Sequence, residues 1–191
     1  MAEVFENDIK QAIEVLQRGG VILYPTDTIW GLGCDATNPE AIKRIYEIKQ
    51  RDDSKSLIVL MAEEREVLQY VAAPDLAVFD FLETQERPTT IIYEHAVGLP
   101  DNLVAADGSI GIRLTQDAFC RHLIKRFRKP IVSTSANISG EPSPQTFADI
   151  RQTIKDQVDY IIDWRQDDMA AALPSQIIKW NNDGTRIIIR S

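Results

Sequence analysis

The chain has 191 residues, 44% of them hydrophobic and 26% charged, which suits one domain with a sizeable buried core and leaves no apolar run near the length of a membrane span. Its net charge of −8 weighs against tight non-specific binding to nucleic acid. Cys34 and Cys120 stand alone and His95 and His122 lie far apart, which argues against a disulfide scaffold or a His/Cys metal cage. The acidic N-terminus lacks the basic flank and apolar segment of a secretory signal, so a cytoplasmic protein is expected.

Along the chain, Ile9, Ala12, Ile13 and Leu16 keep helical spacing, and Gly19-Gly20 ends that helix. Residues 21–24 read as a short buried strand. It leads into a polar turn at 25–33, where Thr26, Asp27 and Thr28 sit on a constrained backbone and Gly31 and Gly33 give conformational freedom. Asn38 and Pro39 carry N-cap and first-turn signals for a second helix. Its apolar stripe of Ile42, Ile45 and Tyr46 continues through Lys49, so that stem is expected on the inward face with the ammonium reaching past the helix end. A strand at 57–61, helices near 63–70 and 75–84, and a strand at 89–93 follow. Ile110, Ile112 and Leu114 then alternate as a strand, with Arg113 on the opposite face. A helix with Cys120, Leu123, Ile124 and Phe127 on one side precedes a strand at 130–133. A helix near 146–154 and strands at 159–162, 176–180 and 186–190 complete the set, the last two joined by a hairpin turn at 181–184. Helices and strands intermingle without repeats, which implies one α/β domain on a mixed sheet over residues 1–191.

The segment 133–144, Ser-Thr-Ser-Ala-Asn-Ile-Ser-Gly-Glu-Pro-Ser-Pro, packs small hydrogen-bonding residues behind a strand. Such loops let backbone N–H groups reach phosphates and other anions, and they also form solvated turns that cap themselves. Lys49, Arg51 and Lys55 gather at a helix end, where they suit either a polyphosphate or the negative end of the helix. Arg113 inside an apolar strand requires a carboxylate partner in the fold or an anionic ligand. The polar loops at 25–33 and 133–143 and the approach to Ser109 each adjoin a strand, so a shared site outside strand ends is one outcome. There is no phosphate-binding Gly-x-x-x-x-Gly-Lys loop, no Gly-x-Ser-x-Gly elbow and no serine with a histidine at an informative position, so no covalent nucleophile stands out.

Taken together, the segments resemble the threonylcarbamoyl-AMP synthase family, the YrdC-type domain. The matching pieces run in the family's order: residues 24–33 (Tyr-Pro-Thr-Asp-Thr-Ile-Trp-Gly-Leu-Gly), Lys49-Gln50-Arg51, residues 108–113 (Gly-Ser-Ile-Gly-Ile-Arg), residues 133–140 (Ser-Thr-Ser-Ala-Asn-Ile-Ser-Gly), then Pro174-Ser175 and Arg190. The resemblance implies a twisted α/β domain with a large concave cationic cavity. It implies synthesis of threonylcarbamoyl-AMP from L-threonine, bicarbonate and ATP with Mg²⁺, for threonylcarbamoyladenosine in tRNA. By the same resemblance Arg51, Lys55, Ser109, Ala136, Pro144 and Arg190 line the ATP site. Thr28, Arg113, Thr134 and Ser175 surround threonine, and Lys49, Arg51, Ser135 and Asn137 form the catalytic signatures, with no dedicated protein cage for a metal. A tRNA or RNA contact, tRNA-modifying partner proteins and no membrane association complete the expectation. The pattern departs from the family at Asp52 and Ser56, which replace prolines, and at Leu60, which replaces a histidine. The rival readings are a tRNA or double-stranded-RNA binding module and a paralogue acting on another nucleotide or carbamate.

Overall fold

The structure is a computed structural model that describes residues 2–51, 57–170 and 173–191. A 3-10 turn at Ala2–Phe5 precedes α1 (Glu6–Gln17), which buries Ile9, Ala12, Val15 and Leu16. β1 (Ile22–Tyr24) and β2 (Gly31–Gly33) are antiparallel, and α2 (Pro39–Lys49) follows. Its N-cap is Asn38, whose side-chain oxygen accepts from the amides of Glu40 and Ala41 at 3.0 and 3.2 Å. Next come β3 (Ile58–Met61), α3 (Glu64–Tyr70), α4 (Ala77–Glu83), β4 (Thr89–Tyr93) and β5 (Ile110–Leu114). The chain closes with α5 (Ala118–Phe127), β6 (Ile131–Ser135), α6 (Gln152–Lys155), β7 (Tyr160–Ile161), β8 (Gln176–Trp180) and β9 (Arg186–Arg190).

Among the described residues the strands form one nine-stranded mixed sheet in the order β7-β1-β2-β6-β3-β5-β4-β8-β9. Register explains its two faces, because partners in neighbouring strands project to the same side. Val132, Val59, Ile112, Ile91 and Ile178 lie in one transverse row, and all are buried. Helices α3 and α5 pack on β3. The neighbouring row, one residue along each strand, is Leu60, Arg113, Thr90 and Ile177. It belongs to the opposite face, so the alternation that buries Ile112 also turns Arg113 away from the core.

Three local expectations change. Gly31 and Gly33 lie in a strand, and their lack of a side chain serves close approach, not backbone freedom. A Cβ on Gly33 would meet the Tyr24 ring at 2.6 Å and the Val132 carbonyl oxygen at 2.9 Å. Gly33→Ala is therefore expected to destabilise the fold by about 2 kcal/mol, as overpacking does. A urea midpoint equal to that of the parent would contradict this packing. The short apolar strand expected at 130–133 runs on to Ser135, which places Thr134 and Ser135 in the sheet opposite Leu32 and Gly31. The helix expected at 146–154 divides into a 3-10 turn at Phe147–Asp149 and α6, because Ile150 and Arg151 are extended, with ψ of 123° and 140°.

Candidate functional site

A cavity of about 200 Å³ opens on the sheet face that carries Arg113. Thr28, Ile29 and Gly31 form one side, and Ser133, Thr134 and Ser135 of β6 form another. Arg51 reaches it from beyond the C-terminus of α2, while Pro174, Ser175, Ile177 and Arg190 close the far side. Several of these side chains get there through identifiable backbone devices. Gln50, the C-cap of α2, takes a left-handed conformation (φ 49°), and the Arg51 amide then donates to the Tyr46 carbonyl at 2.9 Å. The β8–β9 pairing shifts register between Ile177 and Ile178, so that Ile178 faces Ile188 but Ile177 faces Arg190. That irregularity moves Arg190 to the face of Ile177 and the cavity. Arg186 stays on the other face, its guanidinium 4.8 Å from the centroids of both the Phe81 and Trp180 rings.

Arg113 is 2% exposed, and its Nη2 lies 3.1 Å from Asp27 Oδ1. Neither atom makes a hydrogen bond in this arrangement, and Arg113 Nε is also buried without one. The strand arginine thus has a carboxylate neighbour, yet two of its donors are unfilled. Burial and the charge of Arg113 both lower the pKa of Arg190, whose Nε and Nη2 donate to the Ser175 carbonyl at 3.1 and 2.7 Å. Burial likewise lowers that of Arg51. Arg51 and Arg190 are each less favoured as cations here than in water, and a polyanion in the cavity would relieve both.

Lys49 behaves differently from the cavity arginines. Its stem runs inward as its helical spacing foretold, but the ammonium sits behind the Ser135–Ser139 loop and outside the cavity lining. Nζ donates to the carbonyls of Ser135 and Asn137 at 2.5 and 2.8 Å and to Asn137 Oδ1 at 3.2 Å, while the Lys49 carbonyl accepts from the Ser139 amide at 2.8 Å. The other end of the Asn137 amide donates to the Glu141 carbonyl at 2.6 Å. Lys49 and Asn137 hold the loop in shape. Burial, with the Arg51 guanidinium second, pulls the Lys49 ammonium from 10.5 down to about 7. The unfolded chain then binds more protons than the folded one between those values, so this residue's contribution to stability increases with pH there. The difference in unfolding free energy between the parent and Lys49→Met is expected to grow by up to about 1.4 kcal/mol per pH unit from pH 7 to 9. Urea titrations that give a flat difference over that range would contradict the shift.

The remaining expected site residues divide between the cavity and its surroundings. Ala136 and Pro144 line an adjoining hollow of about 180 Å³ with Asn137, Glu141, Pro142, Asp149 and Arg151. Ser109 lies outside both; its hydroxyl donates to Asp107 Oδ1 at 2.6 Å, and this bond helps hold the Asp107 carboxyl below the usual range. Lys55 falls outside the described residues, as do the departures at Asp52 and Ser56. Leu60 is fully buried beside Arg113 in the β3–β5 register. The sequence reading did not single out Ser133, Ser143 or the Asp27–Arg113 pairing. Ser133 lies within β6 and Ser143 in the loop beyond it, and only the folded arrangement brings both to the cavity.

The described helices include none long and apolar enough to cross a membrane. Comparison with known proteins gives concordant matches. The Sua5–YciO–YrdC family pattern, described as telomere recombination, matches residues 14–191. A putative threonylcarbamoyl-AMP synthase of Methanocaldococcus jannaschii is 33% identical over 185 residues, covering 95% of this chain and 86% of the relative. The threonylcarbamoyl-AMP synthase of Pseudoalteromonas translucida is 33% identical over 161 residues, covering 83% and 86%. The structure of P. abyssi Sua5 complexed with L-threonine superposes with a TM-score of 0.80 at 24% identity, covering 90% of this chain and 50% of that longer one. This chain spans about half of the Sua5 protein but most of the two synthases. On a family match through residue 191 and 33% identity over nearly its whole length, the chain belongs to the Sua5–YciO–YrdC family.

Proposed function

We propose that this protein makes L-threonylcarbamoyladenylate from L-threonine, bicarbonate and ATP, releasing pyrophosphate, for threonylcarbamoyladenosine modification of tRNA. The observation that carries the reading is the convergence of Arg51, Arg113 and Arg190 on one cavity whose other polar lining is largely hydroxyl. The curated relatives named threonylcarbamoyl-AMP synthase and the L-threonine complex of Sua5 support the same chemistry.

The reaction needs positioning and charge neutralisation more than it needs a nucleophile. The threonine amine nitrogen bonds to the carbon of carbon dioxide and loses a proton, or to the carbon of bicarbonate, whose C–OH bond breaks so that the hydroxyl and the amine proton leave as water. A carboxylate oxygen of the resulting carbamate then attacks the α-phosphorus, and the bond to the β-phosphate oxygen breaks as pyrophosphate leaves. Bringing a dianion against a triphosphate costs about 1 kcal/mol per unit pair at 4 Å in water and several times more in a dry site. Arg113, with its unfilled donors, takes the threonine carboxylate beside Ser175. Arg51 and Arg190 take the phosphates, with Ala136 and Pro144 toward the nucleotide, and the family resemblance adds Lys55 and Ser109 to the ATP-binding set. Thr28, Thr134 and Ser135 orient the reacting groups, and the Lys49–Asn137 brace holds Ser135 in place. Mg²⁺ accompanying ATP would supply further charge neutralisation at the triphosphate. On this reading the protein works in the cytoplasm and tRNA-modifying proteins consume its product.

Pyrophosphate release measured with ATP, leaving out threonine or bicarbonate in turn, tests the proposal. Release that requires both is expected. Release indifferent to threonine would exclude this reaction and favour a paralogue with another substrate.

A further inference from the structure

Two buried hydroxyls lie just behind the cavity, and neither belongs to the chemistry described above. Thr26 is nearly inaccessible, and its Oγ1 donates to the Ile29 carbonyl at 2.8 Å. A threonine hydroxyl has a single hydrogen, so this bond commits it. Thr26 Oγ1 also lies 2.9 Å from Thr28 Oγ1, and in that pair Thr28 must therefore be the donor. With its own proton directed at Thr26, Thr28 offers the cavity only lone pairs.

The opposite wall has the reverse polarity. Thr90 is 0% exposed, and its Oγ1 lies 2.8 Å from Ser175 Oγ. Its neighbours in register are Arg113, which has no acceptor, and Ile177, which has no polar side-chain atom. If Ser175 were the donor, the Thr90 proton would be stranded in the interior, which is the expensive way to leave a hydroxyl. Thr90 therefore donates to Ser175, and the Ser175 proton is left to the cavity. The Ser175 backbone is itself held, because its carbonyl accepts both bonds from Arg190.

We infer that Thr26 and Thr90 are positioning residues that fix the direction of an amino-acid substrate, making Thr28 an acceptor for its amine and Ser175 a donor to its carboxylate. This rests on the proposed function and deepens it: the two hydroxyls next to the substrate are chemically alike, and their buried partners make them opposite. The polarity also agrees with the charges nearby, since Asp27 adjoins Thr28 and Arg113 lies beside Thr90.

Calorimetric binding of three probes to the full chain tests the assignment: L-threonine, 1-amino-2-propanol, which lacks the carboxylate, and 2,3-dihydroxybutyrate, which lacks the amine. Thr90→Val is expected to weaken threonine and dihydroxybutyrate about tenfold and to leave aminopropanol unchanged. Thr26→Val is expected to weaken threonine and aminopropanol and to spare dihydroxybutyrate. Thr90→Ser and Thr26→Ser, which keep the hydroxyls, should restore binding, and Thr90→Val should add little to Ser175→Ala. Equal losses for all probes, or no loss, would overturn the inference, whereas a purely structural role predicts the equal losses. A hydroxyl-proton NMR experiment on the ligand-free protein separates the inference from the reading on which it rests. Protected Thr26 and Thr90 hydroxyl protons are expected whatever the substrate, and rapid exchange of either would overturn the assignment. Protected protons in a protein that binds no threonine would instead refute the proposed function.

Discussion

Arg113→Met is expected to lower kcat/KM for threonine by a hundredfold or more, the largest loss of any single substitution in the cavity. The physical case begins with β5, where alternation sends Ile112 into the apolar row and Arg113 to the opposite face. At 2% exposure the guanidinium has lost most of its water, and Asp27 Oδ1 at 3.1 Å offsets its charge without filling its donors. Two charge-assisted bonds to a carboxylate are worth about 1.5–3 kcal/mol each, which is the scale of the expected loss. Methionine keeps the length of the stem but removes both the ligand donor and the counter-ion of Asp27. Leaving that carboxylate unpaired is expected to destabilise the fold by about 3 kcal/mol as well. Arg113→Lys separates the two effects, because an ammonium keeps the charge and loses the planar fork. Its stability should approach that of the parent while threonine use remains poor. Kinetics with threonine varied at saturating ATP, alongside urea unfolding, decide the matter. A normal KM for threonine in a folded Arg113→Met protein would remove Arg113 from the site.

Arg190→Ala is expected to raise the KM for ATP by about tenfold to a hundredfold, the range for losing a charge-assisted phosphate contact, with a smaller effect on threonine. Arg190 reaches the cavity only because β9 slips register at Ile177/Ile178, and there it feels both burial and the positive charge of Arg113. Concentrating such cations in one place costs the free protein stability that a bound polyanion returns, so pyrophosphate should raise the melting temperature of the parent. The variant should lose most of that protection. Arg51→Ala should behave in the same direction, since Arg51 lines the same cavity from the α2 side. Equal pyrophosphate protection in parent and variants would contradict a shared phosphate site.

Much of this site was legible in the sequence wherever a residue's role follows from local chemistry. Asn38 and Pro39 announced α2, and the spacing of Ile42, Ile45 and Lys49 put the Lys49 stem inside. The alternation of Ile110 to Leu114 separated Arg113 from the core face, and the demand for a counter-charge was met by Asp27. Long-range contacts were not legible. Nothing local announces that Lys49 braces a loop some 86 residues away. The glycines of β2 looked like turn residues because their neighbours, Tyr24 and Val132, are supplied by two other strands. Strict alternation would have placed Arg186 and Arg190 on one face of β9; a register shift set by pairing with β8 divides them. Residues 146–154 have helical composition, yet extended backbone at Ile150 and Arg151 splits them.

The central claim is that one cavity joins threonine, bicarbonate and the adenylate of ATP without an enzyme-bound intermediate. Incubation with ¹³C-bicarbonate, L-threonine and ATP, followed at once by mass spectrometry of the nucleotide fraction, tests it most directly. The account predicts an adenylate that carries threonine and one ¹³C, formed in step with pyrophosphate and lost in Arg113→Met. Pyrophosphate released with no ¹³C in any adenylate, or label that appears without threonine, would contradict it.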